Sequence, residues 1–313
     1  MRVGIVGTGG VALRHLGVLT QISDVQVVAH VSSDLARAEA QATRWGAKAY
    51  TDVEGMLDGA KPDAVWLCVT PDRHGPPEQA LIDRRIPFFV EKPLSVDLET
   101  AEAIAARLAQ TDLVVAIGYK FRALDTLAYV RSLLWETPPR MAVGAWHDVL
   151  PPPPWWRQAN RGGGQVVEQA THLVDLARCL LGEGTVVSAL AAQSPRSDFP
   201  DSEVPDVSTA QLRFGKVPFA LTATTLLRGR QAIHLQLFCE GRAITITEQH
   251  VTVETGRDTS QAPTTIDLFL EEDRVFLNAV RAHTPSTVHS TYPDALQTHR
   301  LCCAIRDLSA TDH

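Results

Sequence analysis

An α/β protein of two domains is what the sequence predicts: a doubly wound parallel sheet, then an α+β domain built on an open, mostly antiparallel sheet. Three observations predict it. Residues 1–120 alternate continuous apolar runs with helical patterns, and strands apolar on both faces belong to a parallel sheet covered by helices. From Thr185 to Asp267 about seven short strand candidates follow one another without a long helical pattern, as in an antiparallel sheet. The 313 residues exceed one ordinary domain and suit two. The expected domains are 1–120 and 121–313, with the final helix able to pack back on the first.

In order, Arg2–Val6 is a short apolar run ending in glycine, and Val11–Thr20 reads as a helix. Val25–Val31 is β-branched, and Leu35–Trp45 has helical spacing at Leu35, Ala38, Ala42 and Trp45. Ala64–Val69 is continuous and apolar. Pro76–Arg84 is helical, with prolines near its start where they are tolerated. Ile86–Val90 is a strand, Asp97–Leu108 a helix capped by Ser95 or Asp97, and Leu113–Ile117 a strand. Beyond residue 121, Leu124–Leu134 is helical and Arg140–His147 strand-like. The proline run Pro151–Pro154 precedes Trp155 and Trp156, and a glycine-rich Arg161–Gly164 leads into a strong helix, Gln165–Leu181. Two helices close the chain, Leu270–Ala282 and Pro293–Leu308.

Composition narrows the function. The net charge is -7, hydrophobic residues make up 45% and charged residues 21%. A packed core is available, and a nucleic-acid or anionic-membrane partner, which needs a basic face, is not indicated. No apolar run approaches the roughly 18 residues of a membrane span. Strand-like sequence from Arg2 leaves no room for a leader, so a cytoplasmic protein is expected. The five cysteines form neither a CxxC pair nor a Cys/His metal spacing and read as small buried thiols.

Gly7-Thr8-Gly9-Gly10-Val11-Ala12 has the form G-x-G-x-x-A, directly after the first strand and opening the first helix. Gly7 permits the tight turn, Gly9 lets the backbone approach a pyrophosphate, and Ala12 lets helix and strand pack closely. The pyrophosphate sits on the free N–H groups and positive end of the helix. Cofactor contacts are therefore expected at Gly7, Thr8, Gly9, Gly10 and Val11. The end of the second strand chooses between NAD and NADP: an acid there accepts from the adenine ribose and repels a 2′-phosphate. That position is the neutral Ser32, beside Ser33, and Arg37 lies one helical turn beyond, which favours NADP over NAD. Asp34 suits a helix N-cap. Thr70, Pro71 and His74 follow a parallel strand at its carboxyl end, where loops line the ligand crevice; the alternative for His74 is a turn or helix-cap histidine.

Glu91-Lys92-Pro93 follows the next strand at the same sheet edge. Lys92 can donate to a substrate oxygen and favour a developing alkoxide, and Pro93 restricts it to an extended conformation. On the Gln165–Leu181 helix, Val166, Ala170, Leu173, Val174, Ala177 and Leu181 share an apolar face. Glu168, His172, Asp175 and Cys179 share the opposite one. A carboxylate one turn from a histidine orients the ring and raises its basicity; the alternative is a solvated polar face. The Gly162–Gly164 run favours close approach of a ligand. A single His/Glu pair falls short of three zinc ligands, so no metal is expected. Trp155, Trp156 and Arg157 are candidates to line a substrate pocket, since Trp suits sugar C–H faces and Arg suits anions. The alternative is a buried anchor for the proline-rich loop.

These markers, GTGGVA at Gly7–Ala12, TPDRH at Thr70–His74, EKP at Glu91–Pro93 and GGGQVVEQATHLVDL at Gly162–Leu176, occur in an order that resembles the glucose–fructose oxidoreductase, inositol dehydrogenase and rhizopine-catabolism (Gfo/Idh/MocA) family over nearly the whole chain. The resemblance implies an NAD(P)-dependent oxidoreductase acting on a hydroxyl or keto carbon of a sugar, polyol or related small molecule. It also implies homodimers or homotetramers built on the C-terminal sheet. Lys92 matches the lysine that binds substrate near the nicotinamide, and His172 the histidine that acts as acid/base, with Glu168 where the family commonly has aspartate. Substrate contacts are then expected from Lys92, Trp156, Arg157, Glu168 and His172, and a cofactor contact from Glu91. Ser32 departs from the acid common in NAD-preferring members. Two other readings fit the resemblance, an NAD-dependent glycosidase of the same fold and a non-catalytic cofactor sensor.

Overall fold

The structure is a computed structural model and describes residues 1–310. The first of its two compact units comprises Met1–Ala123 and Asp267–Leu296. Its elements run β1 (Arg2–Val6), α1 (Gly10–Leu19), β2 (Gln26–Val31), α2 (Leu35–Trp45), β3 (Lys48–Tyr50), α3 (Val53–Gly59), β4 (Ala64–Leu67), α4 (Pro76–Asp83), β5 (Phe88–Val90), α5 (Leu98–Leu108) and β6 (Val115–Ile117). The six strands form one sheet in the order β3-β2-β1-β4-β5-β6, and every neighbouring pair is parallel.

Alternation along these strands makes the doubly wound architecture. Leu67, Phe88, Val90 and Ile117 pack with Leu81 and Ile104 of α4 and α5. Their neighbours Trp66, Phe89 and Ala116 pack with Leu16 of α1. Successive side chains of a strand point to opposite faces, so each face of the sheet receives its own layer of helices. Two elements were not expected from sequence, β3 and α3. The three residues of β3 are too few for a period, and α3 contributes only Met56 and Leu57 to the core.

The second unit comprises Leu124–Ile266 and the chain from Gln297 onward. It holds α6 (Leu127–Glu136), β7 (Pro139–His147), α7 (Ala159–Gly162), α8 (Thr171–Leu181) and seven strands. These are β8 (Gly184–Ala192), β9 (Val207–Phe214), β10 (Val217–Thr224), β11 (Ala232–Cys239), β12 (Arg242–Ile246), β13 (His250–Glu254) and β14 (Thr259–Pro263). With β7 they make an eight-stranded sheet in the order β14-β13-β12-β11-β7-β10-β9-β8. All pairings are antiparallel except β7 with β10. Helix α8 packs on β7, β9 and β11.

The expected boundary at 120/121 lies close to the observed division after Ala123, but the single domain 121–313 needs correcting. The chain returns to the first unit for α9 (Leu268–Ala282), whose Phe276, Leu277, Ala279 and Val280 complete the core around Trp66 and Phe89. The last helix, α10 (Tyr292–Ser309), gives its first turn to that unit and the rest to the second. Among the described residues no helix is long and apolar enough to cross a membrane.

His30 on β2 is fully buried, and neither ring nitrogen meets a hydrogen-bond partner among the described residues. Burial lowers its pKa from 6.5 to about 4. Between those values the unfolded chain binds the proton and the folded one does not, so stability falls as pH drops from 6.5 towards 4. The full gap is worth roughly 3 kcal/mol. Denaturant unfolding at pH 7 and pH 4.5 should show a larger acid loss for the wild type than for His30→Leu; equal losses would remove His30 as the cause.

Candidate active site

The carboxyl ends of β1, β2, β4 and β5 carry the first set of candidate residues. At the end of β1 the Gly7 N–H donates to Val31 O over 2.9 Å. Gly7 has φ +114°, and a Cβ there would lie 2.2 Å from Cys68 O. Only glycine satisfies both demands. The next glycines differ: a Cβ on Gly9 or Gly10 would meet nothing within 4 Å. Gly9 is the N-cap of α1, with no side-chain cap and no acid in the first turn. The helix therefore begins with free N–H groups facing open space and an uncompensated positive end, which suits a pyrophosphate. Ala12 is fully buried against the sheet, while Thr8 is half-buried and Val11 exposed.

At the end of β2, Ser32 N donates to Tyr50 O, and Ser32 Oγ accepts from Asp34 N over 3.3 Å. Ser33 is exposed. Asp34 is the N-cap of α2, accepting from Arg37 N. The exposed Arg37 side chain lies 3.4 Å from the same carboxylate, so the acid nearest the strand end is engaged by the helix start.

After β4, Thr70 Oγ1 donates to Asp72 and Pro71 is buried. His74 is buried, with Nδ1 bonded to Oε1 of the fully buried Glu78, whose Oε2 accepts from Gly75 N over 2.7 Å. His74 thus stands just before α4, held by Glu78 of that helix. After β5, Lys92 is half-buried and joined to Pro93 by a cis peptide bond.

Glu91 turns out to be a core residue. Its Oε1 lies 2.9 Å from Nε2 of His15, whose Nδ1 is 2.8 Å from Asp273 Oδ1. Trp66 Nε1 donates to the same oxygen over 2.8 Å. Burial pulls the His15 pKa down, but Asp273 and Glu91 outweigh it and hold it well above 6.5. Burial, with Glu91 nearby, raises the Glu272 carboxyl well above 4.5. Burial also raises Asp273 against the pull of His15. Sequence reading missed this cluster. Its available signal was a histidine among the apolar positions of α1, flanked by Ala12, Leu16 and Leu19, and two acids on the buried stripe of α9.

The second unit carries the remaining candidates. The expected helix 165–181 is two pieces: a five-residue π turn, Val166–Ala170, and then α8. A wheel at 100° per residue does not hold across the π turn. The expected polar face is buried at His172 and Asp175 and partly buried at Glu168 and Cys179. Glu168 Oε2 accepts from Trp156 Nε1 over 2.9 Å. His172 is 6% exposed and stacks on Trp146, 5.8 Å between centroids and 15° between planes. Asp175, fully buried, accepts from Thr298 over 2.8 Å. Cys179 accepts from Arg131. Gln165 Nε2 donates to Thr224 O over 2.9 Å. Neither Trp146 nor Gln165 was given a role from sequence, although Gln165 lies within the GGGQVVEQATHLVDL stretch.

Three of the candidates have partners within the chain. Trp156 is 1% exposed and clusters with Leu150 and Val204, so it is the buried anchor and reaches Glu168 from inside. Arg157 pairs with Asp201 at 2.8 Å and lies over Phe199. The glycine run serves the chain's own packing: a Cβ on Gly162 would lie 2.9 Å from Trp156 O, and Gly163 and Gly164 have positive φ.

The chain matches the family model described as "Oxidoreductase family, NAD-binding Rossmann fold" over residues 1–119 and "GFO/IDH/MocA C-terminal domain" over 138–245. It is 30% identical over 203 residues to inositol 2-dehydrogenase 4 of Saccharopolyspora erythraea, covering 63% of this chain and 58% of that relative's length. Among solved structures, levoglucosan dehydrogenase in complex with NADH has a TM-score of 0.89 at 18% identity, covering 99% of this chain and 97% of that one. A 3-ketoreductase from Actinomadura kijaniata, in complex with NADP and TDP-benzene, has a TM-score of 0.87 at 20% identity, with 98% and 97% covered. At such identities the structural likeness concerns the fold. The turn at Gly7–Gly10 and the EKP tripeptide after β5 lie within the first match and the histidine of α8 within the second: the chain belongs to the Gfo/Idh/MocA oxidoreductase family.

Proposed function

We propose that this chain is an NAD(P)-dependent oxidoreductase that moves a hydride between the nicotinamide and a hydroxyl or keto carbon of a sugar, polyol or related small molecule. The observation that carries the reading is the start of α1, where two glycines open onto free space above uncapped N–H groups. The names of the relatives, an inositol dehydrogenase and a levoglucosan dehydrogenase, support the substrate class.

Gly7, Thr8, Gly9, Gly10 and Val11 hold the pyrophosphate, and Ser32, Ser33 and Arg37 meet the adenine ribose end. The nicotinamide, when bound, supplies the hydride acceptor or donor. In the oxidation direction His172 takes the hydroxyl proton as general base. Lys92 stabilises the developing alkoxide by charge and hydrogen bonding. Glu168, oriented by Trp156, holds His172 or a neighbouring hydroxyl. A neutral Ser32 and an exposed Arg37 favour NADP over NAD. Self-association through the eight-stranded sheet is part of the reading: Val187 and Leu190 of its edge strand β8 are 61% and 60% exposed. The cytoplasm, where both cofactors are abundant, is its proposed location.

The test is a fluorescence titration with NADPH and NADH, followed by turnover at 340 nm on a panel of sugars, polyols and their keto forms. Light scattering on the same sample should give a dimer or tetramer mass. Turnover with a higher kcat/KM for NADP is expected, and Ser32→Asp should shift the preference towards NAD. Tight cofactor binding with aryl-glycoside hydrolysis and no absorbance change would replace the oxidoreductase by a glycosidase. Binding with neither activity would make it a sensor.

A further inference from the structure

The buried cluster behind the EKP tripeptide has no part in the chemistry above. It joins three elements of one unit. His15 comes from α1, the helix whose start holds the pyrophosphate in the proposed function. Glu91 ends β5 and immediately precedes Lys92. Asp273 comes from α9, and all three side chains are buried. The histidine is held along both ring nitrogens, 2.8 Å to Asp273 and 2.9 Å to Glu91. A neutral imidazole donates from one nitrogen only; a ring that donates to two carboxylates is the cation.

Every other constraint converges on the same strand end. Glu91 N donates to Leu67 O over 2.9 Å, and Gly118 N to Val90 O over 2.9 Å. The Glu91 carboxylate fills the space above Gly118, where a Cβ would lie 2.7 Å from Oε1. Trp66 fixes Asp273, while Phe89 and Phe269 close on the His15 ring at 5.0 and 5.2 Å. Other titratable groups near the bridge are Glu272 on α9 and Cys68 after β4, both pushed up by burial. Lys120, after β6, lies near enough for its charge to act on Glu272. Asp273 and Glu91 together favour the imidazolium form of His15. A neutral His15 would leave those carboxylates buried with one donor fewer, a costly arrangement.

We propose that His15, bridging Glu91 and Asp273 as a buried imidazolium, is a positioning residue for Lys92. The bridge ties the backbone that carries the lysine to the helix that carries the cofactor. The inference rests on the proposed oxidoreductase reading for its kinetic consequence and on the geometry of one unit for the rest. The bridge is intact below the titration of His15, which lies well above 6.5. It is lost as pH rises through that value.

Two variants test it, His15→Gln and Glu91→Gln, the second keeping side-chain shape should the first not fold. In either, kcat should fall on the order of 10–100-fold with KM for the cofactor little changed, as expected when a reacting group is displaced by under about 1 Å. The double variant should cost no more than the worse single one, since both break one bridge. The alkaline limb of the wild-type kcat profile should change shape in His15→Gln. Two readouts need no turnover. Ring nitrogen shifts of labelled His15 should show the cation at pH 7.5. In mass-spectrometric acetylation, Lys92 of the variant should label several-fold faster than in the wild type, with the other lysines unchanged. A neutral His15 ring at pH 7.5 would overturn the bridge. Unchanged Lys92 labelling in a folded variant would overturn the positioning role, as would lowered stability with unchanged kcat. If the wild type turned over no substrate, the oxidoreductase reading would fail, and the ring shifts and Lys92 labelling would still decide the bridge.

Discussion

Replacing His172 by alanine is expected to lower kcat by about 10²–10⁴-fold, the usual contribution of a positioned acid/base, with NADPH and NADH affinity unchanged. The helix that carries it explains why the effect should be large. His172 begins α8 just after a π turn, is 6% exposed, and has its ring against Trp146 at 15° between planes. A ring so constrained has few orientations to average over, and neither solvent nor a neighbouring side chain could stand in for its lost nitrogen. His172→Asn separates geometry from proton transfer. It keeps a polar group near one nitrogen position but does not titrate near neutrality, so its kcat should stay low and lose the pH limb that belongs to the histidine. Pre-steady-state mixing with NADP and an active substrate measures the step directly. Wild-type hydride transfer in His172→Ala would take His172 out of the mechanism.

The second large effect is a contrast between two glycines only two residues apart. Gly7→Ala is expected to destabilise the first unit by roughly 4 kcal/mol or more, or to leave no soluble protein. The new Cβ would lie 2.2 Å from Cys68 O at φ +114°. The obstacle is backbone, and that backbone follows β4, the strand paired with β1, so relief requires parting the two central strands. Gly9→Ala meets nothing within 4 Å and has φ -78°. It should unfold at close to the wild-type denaturant midpoint, while its cofactor dissociation constant rises about tenfold or more, equivalent to ~1.4 kcal/mol. Chemical unfolding and cofactor titration on both variants check the pair. Equal destabilisation of the two would mean that the turn has no special role. Full cofactor affinity in Gly9→Ala would mean that the open space is not the pyrophosphate seat.

Those two glycines also mark how far the sequence could be read. The strand, glycine turn and helix at residues 2–19 were legible because local rules act over a few residues. The seven strands after Thr185 were legible because polar and apolar positions alternate along them, as in β9. Legibility ended where a residue's surroundings come from far along the chain. His15 meets Asp273 across 258 positions, and no periodicity of either helix reports the other. The same limit applied to α8: a wheel separates polar from apolar, but Asp175 finds Thr298 and Glu168 finds Trp156. A polar face satisfied by buried partners looks, in sequence, like one satisfied by water. Trp156 and Arg157 were assigned towards substrate on their chemistry alone, and no pattern in the sequence names their partners Glu168 and Asp201.

The return of the chain to the first unit at Asp267 bears on how the molecule is made. A ribosome that has released residues 1–123 has delivered all six strands of the parallel sheet but not α9. Until translation reaches Ala282, the seats of Phe276 and Leu277 stand open beside Trp66 and Phe89, and His15 lacks Asp273. The cofactor half therefore matures late although it is synthesised first. Throughout the elongation of the eight-stranded half, nascent chains expose an apolar sheet face, the kind of surface that attracts holdase chaperones.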